Sequence, residues 1–189
     1  MIRKNSLFCK LIRIKTSSKS LFSSFMKDYS LSMEECPFCH SRDNCIFHAS
    51  YERSIIDFVH GKTIYQKISI TRVKCCCRHT HAILPDLIIP YRQYSLFFLL
   101  RVLGEYFLHL KTVSEICHIY AITPSMLYRW KALFLRHRAD WLPLLERLDS
   151  SPFAFLKFLC FQEDFSSLFS PPFFKKTGIS FLQSHKNPG

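Results

Sequence analysis

Cys36-Pro37-Phe38-Cys39-His40 and, further along, Cys75-Cys76-Cys77 decide how this chain is built. The first has the C-P-x-C form of a zinc knuckle, in which a tight turn lets two thiolates and nearby backbone N–H groups converge on one tetrahedral ion. One knuckle supplies two ligands, so a second pair must come from the downstream triplet. Between them, in residues 61–74, Ile68 and Ile70 alternate with Lys67, Ser69 and Thr71 as in a half-buried strand, and His60-Gly61-Lys62 has the composition of a hairpin turn.

Knuckle, hairpin, strand and second knuckle is the layout of a zinc ribbon, whose sheet is too small to hold together without its metal. Cys36, Cys39, Cys75 and Cys77 are the expected ligands of a structural Zn2+ ion. Consecutive side chains on extended backbone face opposite ways, which excludes Cys76, while His81 and Cys45 stand as substitutes. A redox C-x-x-C sits inside a βαβ unit, and no such unit is read here. Catalytic zinc needs an open coordination position and a nearby general base, and neither H-x-E nor H-E-x-x-H occurs.

Composition agrees. Nine cysteines, an odd and clustered set, make a poor disulfide framework and point to a reducing, cytoplasmic setting. With 26 lysines and arginines against 14 acids, the formal charge of +12 on 189 residues favours a polyanionic partner, nucleic acid before membrane. A membrane span is not expected, because residues 94–110, the most apolar stretch, are interrupted by Arg101 and Glu105. Residues 1–33 are basic and serine-rich, with Arg3, Lys4, Lys10, Arg13, Lys15, Lys19 and Lys27, and are expected to form a disordered arm; Met33 is an alternative start.

After the ribbon module of residues 34–84, Leu84-Pro85-Asp86-Leu87-Ile88-Ile89-Pro90-Tyr91 carries two prolines around an apolar run. Residues 85–93 are therefore expected to be an extended connector. A mostly buried helix follows over 94–110, its solvent edge marked by Arg101, Glu105 and His109. Thr112-Val113-Ser114-Glu115 fits a capping box that starts a short helix through Tyr120. Ala121-Ile122-Thr123 makes a break, and Thr123-Pro124 restarts the helix with a good N-cap and with proline where its missing N–H costs nothing.

In this last helix Leu127, Trp130 and Phe134 share one face, whereas Ser125, Tyr128, Arg129 and Lys131 lie off it. The expectation is a helix-turn-helix over residues 94–148. Its second helix would bring Ser125, Tyr128, Arg129 and Lys131 to double-stranded DNA, its N-terminal residues along base edges, arginine pairing with guanine and serine or lysine holding phosphates, with Lys111, Arg136 and Arg138 adding phosphate contacts. Cys117 is expected to fill the space between the helices. The fold class is thus α+β: a small zinc-ribbon hairpin module followed by an all-α bundle.

Taken together, Cys36-Pro37-Phe38-Cys39, the run from Arg72-Val73-Lys74-Cys75-Cys76-Cys77 to Thr80-His81-Ala82-Ile83-Leu84-Pro85, Pro90-Tyr91-Arg92, and Val113-Ser114-Glu115-Ile116-Cys117 with Leu127-Tyr128-Arg129-Trp130-Lys131 carry a resemblance. From Cys36 to about Leu148 the chain resembles a bacterial family of uncharacterised zinc-ribbon plus helix-turn-helix proteins related to the N-terminal parts of insertion-sequence transposases. The resemblance implies zinc on paired cysteines and DNA binding by the second helix of the motif. His40, Arg78 and Ala121 depart from it, standing at turn positions that usually hold glycine.

Residues 149–189 form a phenylalanine-rich tail with Phe153, Phe155, Phe158, Phe161, Phe165 and Phe169, expected to pack rather than stack on bases. An acidic-triad transposase needs carboxylates from separate strands around two metal ions, yet only Asp149, Glu163 and Asp164 follow the helices, so no enzyme is expected. What is expected is a transposon-related regulator or accessory factor that binds DNA. The alternatives are a zinc-dependent protein or RNA interaction module and a non-catalytic transposase fragment. A homodimer would form through the apolar helix 94–110 or the tail.

Overall fold

The structure, a computed structural model, describes residues 2–4, 17–31, 35–141 and 170–184. It is an α+β fold. Three antiparallel strands, β2 (Cys45–Val59), β3 (Lys62–Cys75) and β4 (Thr80–Pro85), carry a short parallel strand β1 (Ile2–Lys4) on the β4 edge, in the order β1-β4-β3-β2. The hairpin between β2 and β3 turns through His60 (φ 50°) and Gly61 (φ 77°). Two successive positive φ angles give the mirror-image turn whose twist matches that of paired strands. The register it sets, from Val59 opposite Lys62, runs to Cys45 opposite Cys75, with one bulge between Phe47 and Ala49. Ile68 and Ile70 face inward, as their alternation predicts, so the hairpin delivers Cys75 to the end where the first knuckle lies.

Among the described residues there are five helices, of which the first three pack on the sheet and the last two pack on those helices and on each other. Helix α1 (Ser18–Asp28) is capped by Ser17, whose hydroxyl accepts the Ser20 N–H, and buries Phe22 and Phe25. The expected disordered arm is therefore corrected over these residues: phenylalanines three apart put one apolar stripe on the sheet, which outweighs a serine-rich, basic composition. Helix α2 (Leu96–Phe107) starts at the Ser95 cap and is buried on nearly every side. Its apolar surface is covered largely within the chain.

Helix α3 (Val113–Tyr120) opens with the full capping box, Thr112 and Glu115 each bonding the other's backbone N–H. It ends on Ala121 in the left-handed conformation, φ 52° and ψ 49°. Helix α4 (Pro124–Trp141) begins after Thr123, whose hydroxyl accepts the Met126 N–H. Leu127, Trp130 and Phe134 are all buried, and Cys117 packs at the edge of the same core. Part of the tail is a helix too: α5 (Ser170–Thr177) buries Phe173 beside His137 of α4. Phe153, Phe155, Phe158, Phe161, Phe165 and Phe169, like Asp149, Glu163, Asp164 and Met33, lie outside the described residues.

Sheet and helices share one core. Ile55, Ile56, Ile68 and Ile70 of the hairpin pack in the same cluster as Leu99, Leu103, Ile116, Leu127 and Phe134 of the helices. Within residues 85–93, Leu87, Ile88 and Ile89 lie inside that cluster, which corrects the expectation of an extended connector. Ile88 N–H bonds Pro85 O at 2.9 Å, Arg92 N–H bonds Ile89 O at 3.3 Å, and Leu87, Ile88 and Ile89 are fully enclosed. The prolines end β4 and shape a turn, but the aliphatic run between them gains more by burial than by spanning solvent. A buried carboxylate ties the elements together: Asp57 of β2 accepts the Ser18 N–H that opens α1 and the Ser95 hydroxyl that caps α2.

Candidate metal centre and basic helix face

Both knuckles are closed by backbone hydrogen bonds. In the first, His40 N–H bonds Cys36 O and Cys36 N–H bonds Ser41 O; in the second, Arg78 N–H bonds Cys75 O and Cys75 N–H bonds His79 O. His40 and Arg78, the residues standing where glycine is usual, adopt positive φ of 58° and 71°. The turn geometry is thus made without glycine, at the steric cost that a Cβ carries in that region. Phe38 at one knuckle tip stacks on His79 at the other, ring centroids 3.6 Å apart.

These turns bring Cys36, Cys39, Cys75 and Cys77 together, their Sγ atoms all within 4.8 Å of one another. Cys36 and Cys77 Sγ are 3.7 Å apart, and Cys39 and Cys75 Sγ 3.5 Å. A disulfide requires about 2.05 Å, whereas sulfurs at the corners of a tetrahedron with metal bonds of about 2.3 Å are separated by about 3.8 Å. All four are free thiols, so spacing and donor type fit a four-thiolate metal site. Cys76 is exposed and outside the group. The substitutes flank it: His81 Nε2 is 3.3 Å from Cys36 Sγ, and Cys45 is buried opposite Cys75.

Backbone amides favour the thiolate at two of the four cysteines. The Cys77 amide beside Cys75 holds its thiol down to about 5, and the Ser41 amide holds Cys39 below the usual thiol range. At Cys77 the His79 amide acts in the same direction, but burial and the neighbouring thiols outweigh it and push this group up to about 12. Burial raises Cys45 to about 11 and holds His81 down to about 4, so both are neutral at physiological pH. Adjacent thiolates repel unless a cation lies between them.

Sequence reasoning missed the inner wall of this site. Phe25 of α1 packs in one cluster with Cys36, Cys45, Val73, Cys75 and Ile83, and Tyr29 joins its edge. The signal was the spacing of Phe22 and Phe25, hidden in a segment otherwise rich in serine and lysine.

On α4, Ser125, Tyr128, Arg129 and Arg136 are exposed on the side away from Leu127, Trp130 and Phe134. The two lysines behave differently. Lys131 donates to the Tyr106 hydroxyl at 2.8 Å and lies over that ring, while Lys111 pairs with Glu105 at 2.7 Å. Both are tied to α2 instead of standing free beside the arginines. Arg129 and Arg136 also line an open groove of about 570 Å³ between α4 and the turn at residues 91–94. Among the described residues no helix is long and apolar enough to cross a membrane.

Residues 36–130, just over half of the chain, match a family described as a domain of unknown function, DUF6431. No curated protein and no solved structure matches the chain.

Proposed function

The chain belongs to the DUF6431 family, and from that premise we propose that it is a DNA-binding protein built on a structural zinc ion and a helix-turn-helix. Cys36, Cys39, Cys75 and Cys77 hold the zinc, which fixes the open end of the sheet as a ribbon. Helix α3 braces α4, and α4 enters the major groove with Ser125, Tyr128 and Arg129 toward base edges and Arg136 toward phosphate. In this proposal the role is non-catalytic, regulating or assisting a mobile element, a reading supported by the resemblance to the N-terminal parts of transposases.

The observation that carries this proposal is the joint between the helices. A boxed α3, a single left-handed residue at Ala121 and a Thr123-capped α4 bury Leu127, Trp130 and Phe134 and leave Tyr128 and Arg129 outward. Break, caps, buried face and basic face agree at one place. The test is selection of bound duplexes from a random pool by the zinc-loaded protein at physiological salt, where nonspecific phosphate binding is weak. A defined site should emerge, and Arg129→Ala should weaken its binding by about 1–3 kcal/mol. A pool that stays random overturns the proposal.

A second proposal, a zinc-dependent module for protein or RNA, is favoured by the aromatic surface of the hairpin, where Phe47, Tyr51 and Tyr65 are exposed. In that case Arg129→Ala is silent toward DNA, and a bound partner survives nuclease treatment.

A further inference from the structure

We infer that the Pro90-Tyr91-Arg92 turn and the outer side of α4 form one site for a phosphodiester of the DNA backbone, held by Arg92 and Arg136, with Arg129 at its edge reaching on toward the bases. This rests on the DNA-binding proposal and extends it to the sheet side of the molecule.

The groove between turn and helix is lined by these three arginines, with Tyr91, Gln93 and Ser184 adding polar atoms. Among the described residues no carboxylate lines it. Arg92 is half-buried, and burial together with the nearby Arg129 pushes its guanidinium below the usual arginine range. Its Nε is closed off from solvent and has no acceptor among the described residues. Like charges gathered around an open groove, with no described acid among them, are what an incoming anion neutralises.

The turn is also held in place. Arg53 of β2 is largely enclosed, and its Nη2 donates to the carbonyls of both Ile89 and Arg92. Tyr91 between them sits at φ 60°, a strained value for a residue with a Cβ, and is exposed. Arg53 is thus a positioning residue, spending its own guanidinium on backbone so that Arg92 faces α4's arginines across the groove. Planar guanidinium groups bind oxyanions in pairs, which favours a phosphodiester over a simple halide. Because Arg129 belongs both to this groove and to the exposed face of α4, a strand passing the helix would bring a phosphate here.

The test measures duplex affinity against salt for wild type, Arg129→Ala, Arg92→Gln and Arg92→Lys, each checked for metal content and thermal midpoint. Arg92→Gln should weaken the selected and a scrambled duplex by the same factor and reduce the log–log salt slope by about 0.9, one phosphate contact. Arg92→Lys, which keeps the charge, should restore the slope. If Arg92→Gln does not fold, Arg92→Met, which keeps the aliphatic stem, replaces it with the same expectation. A wild-type slope and affinity in the neutral variant, with Arg129→Ala still defective, overturns this site alone. Absence of duplex binding by the wild type overturns it together with the proposal on which it rests.

Discussion

Cys36 Sγ lies 3.7 Å from Cys77 Sγ although 41 positions separate them, while Cys76, next in the chain, is turned out to solvent. The hairpin register and the second knuckle turn together decide which cysteine of the triplet enters. Metal analysis of purified variants should therefore find the ion lost or loosened in Cys36→Ser and Cys77→Ser and retained at wild-type stoichiometry in Cys76→Ser. A chelator should unfold the knuckle end of the sheet, since a metal held there as proposed would contribute its binding free energy to folding. Equal loss in all three variants would mean that the triplet is read wrongly.

Ala121 occupies the left-handed region at the joint of α3 and α4, and it is exposed. A Cβ there costs about 1–2 kcal/mol, and glycine returns part of that as unfolded-chain entropy. Ala121→Gly is expected to stabilise the protein by roughly 0.5–1 kcal/mol, read as a higher denaturant midpoint at unchanged slope. A lower midpoint would show that the turn does not have this geometry.

Asp57 accepts hydrogen bonds from Ser18 N–H at 2.6 Å and from the Ser95 hydroxyl at 3.1 Å, linking β2 to the starts of two helices. Truncation leaves these buried donors without an acceptor. Asp57→Ala should cost roughly 2–3 kcal/mol, measured by urea unfolding, with Asp57→Asn losing less. An unchanged midpoint in Asp57→Ala would mean that α1 is not docked as described.

His137 is enclosed between Phe173 and Phe181, and its Nδ1 accepts the Leu182 N–H. Burial, with Arg136 and Arg92 nearby, holds it down to about 4. The unfolded chain binds this proton near pH 6.5 and the fold does not. Its contribution is therefore complete above pH 6.5 and is lost as pH falls toward 4, by roughly 3 kcal/mol in all. Thermal midpoints across that window should fall for the wild type and fall less for His137→Gln. Parallel profiles would contradict the assignment.

How much of this was legible in the sequence depended on range. Knuckle turns, the Thr112 and Glu115 box and the Thr123-Pro124 restart are local devices, so their residues announce them. Alternation at Ile68 and Ile70, and the spacing of Leu127, Trp130 and Phe134, likewise gave the buried faces. Helix α1 was hidden because its two phenylalanines sit in a composition typical of solvated arms. The run from Leu87 to Ile89 looked like a linker because its burial depends on elements far away in the chain. The same holds for Arg53, Arg92 and Arg129, which meet only after the sheet and helices share a core. Lys111 and Lys131 carry the right charge for phosphate, but Glu105 and Tyr106 of α2 already engage them.

The most direct measurement is the ratio of dissociation constants for the selected duplex and a scrambled duplex of equal length, at physiological salt, with the fully zinc-loaded protein. A ratio of about 10³ or more is expected of a protein that reads base edges with α4, falling sharply in Arg129→Ala. A ratio near one, in protein with its zinc and fold intact, would contradict sequence-specific DNA binding.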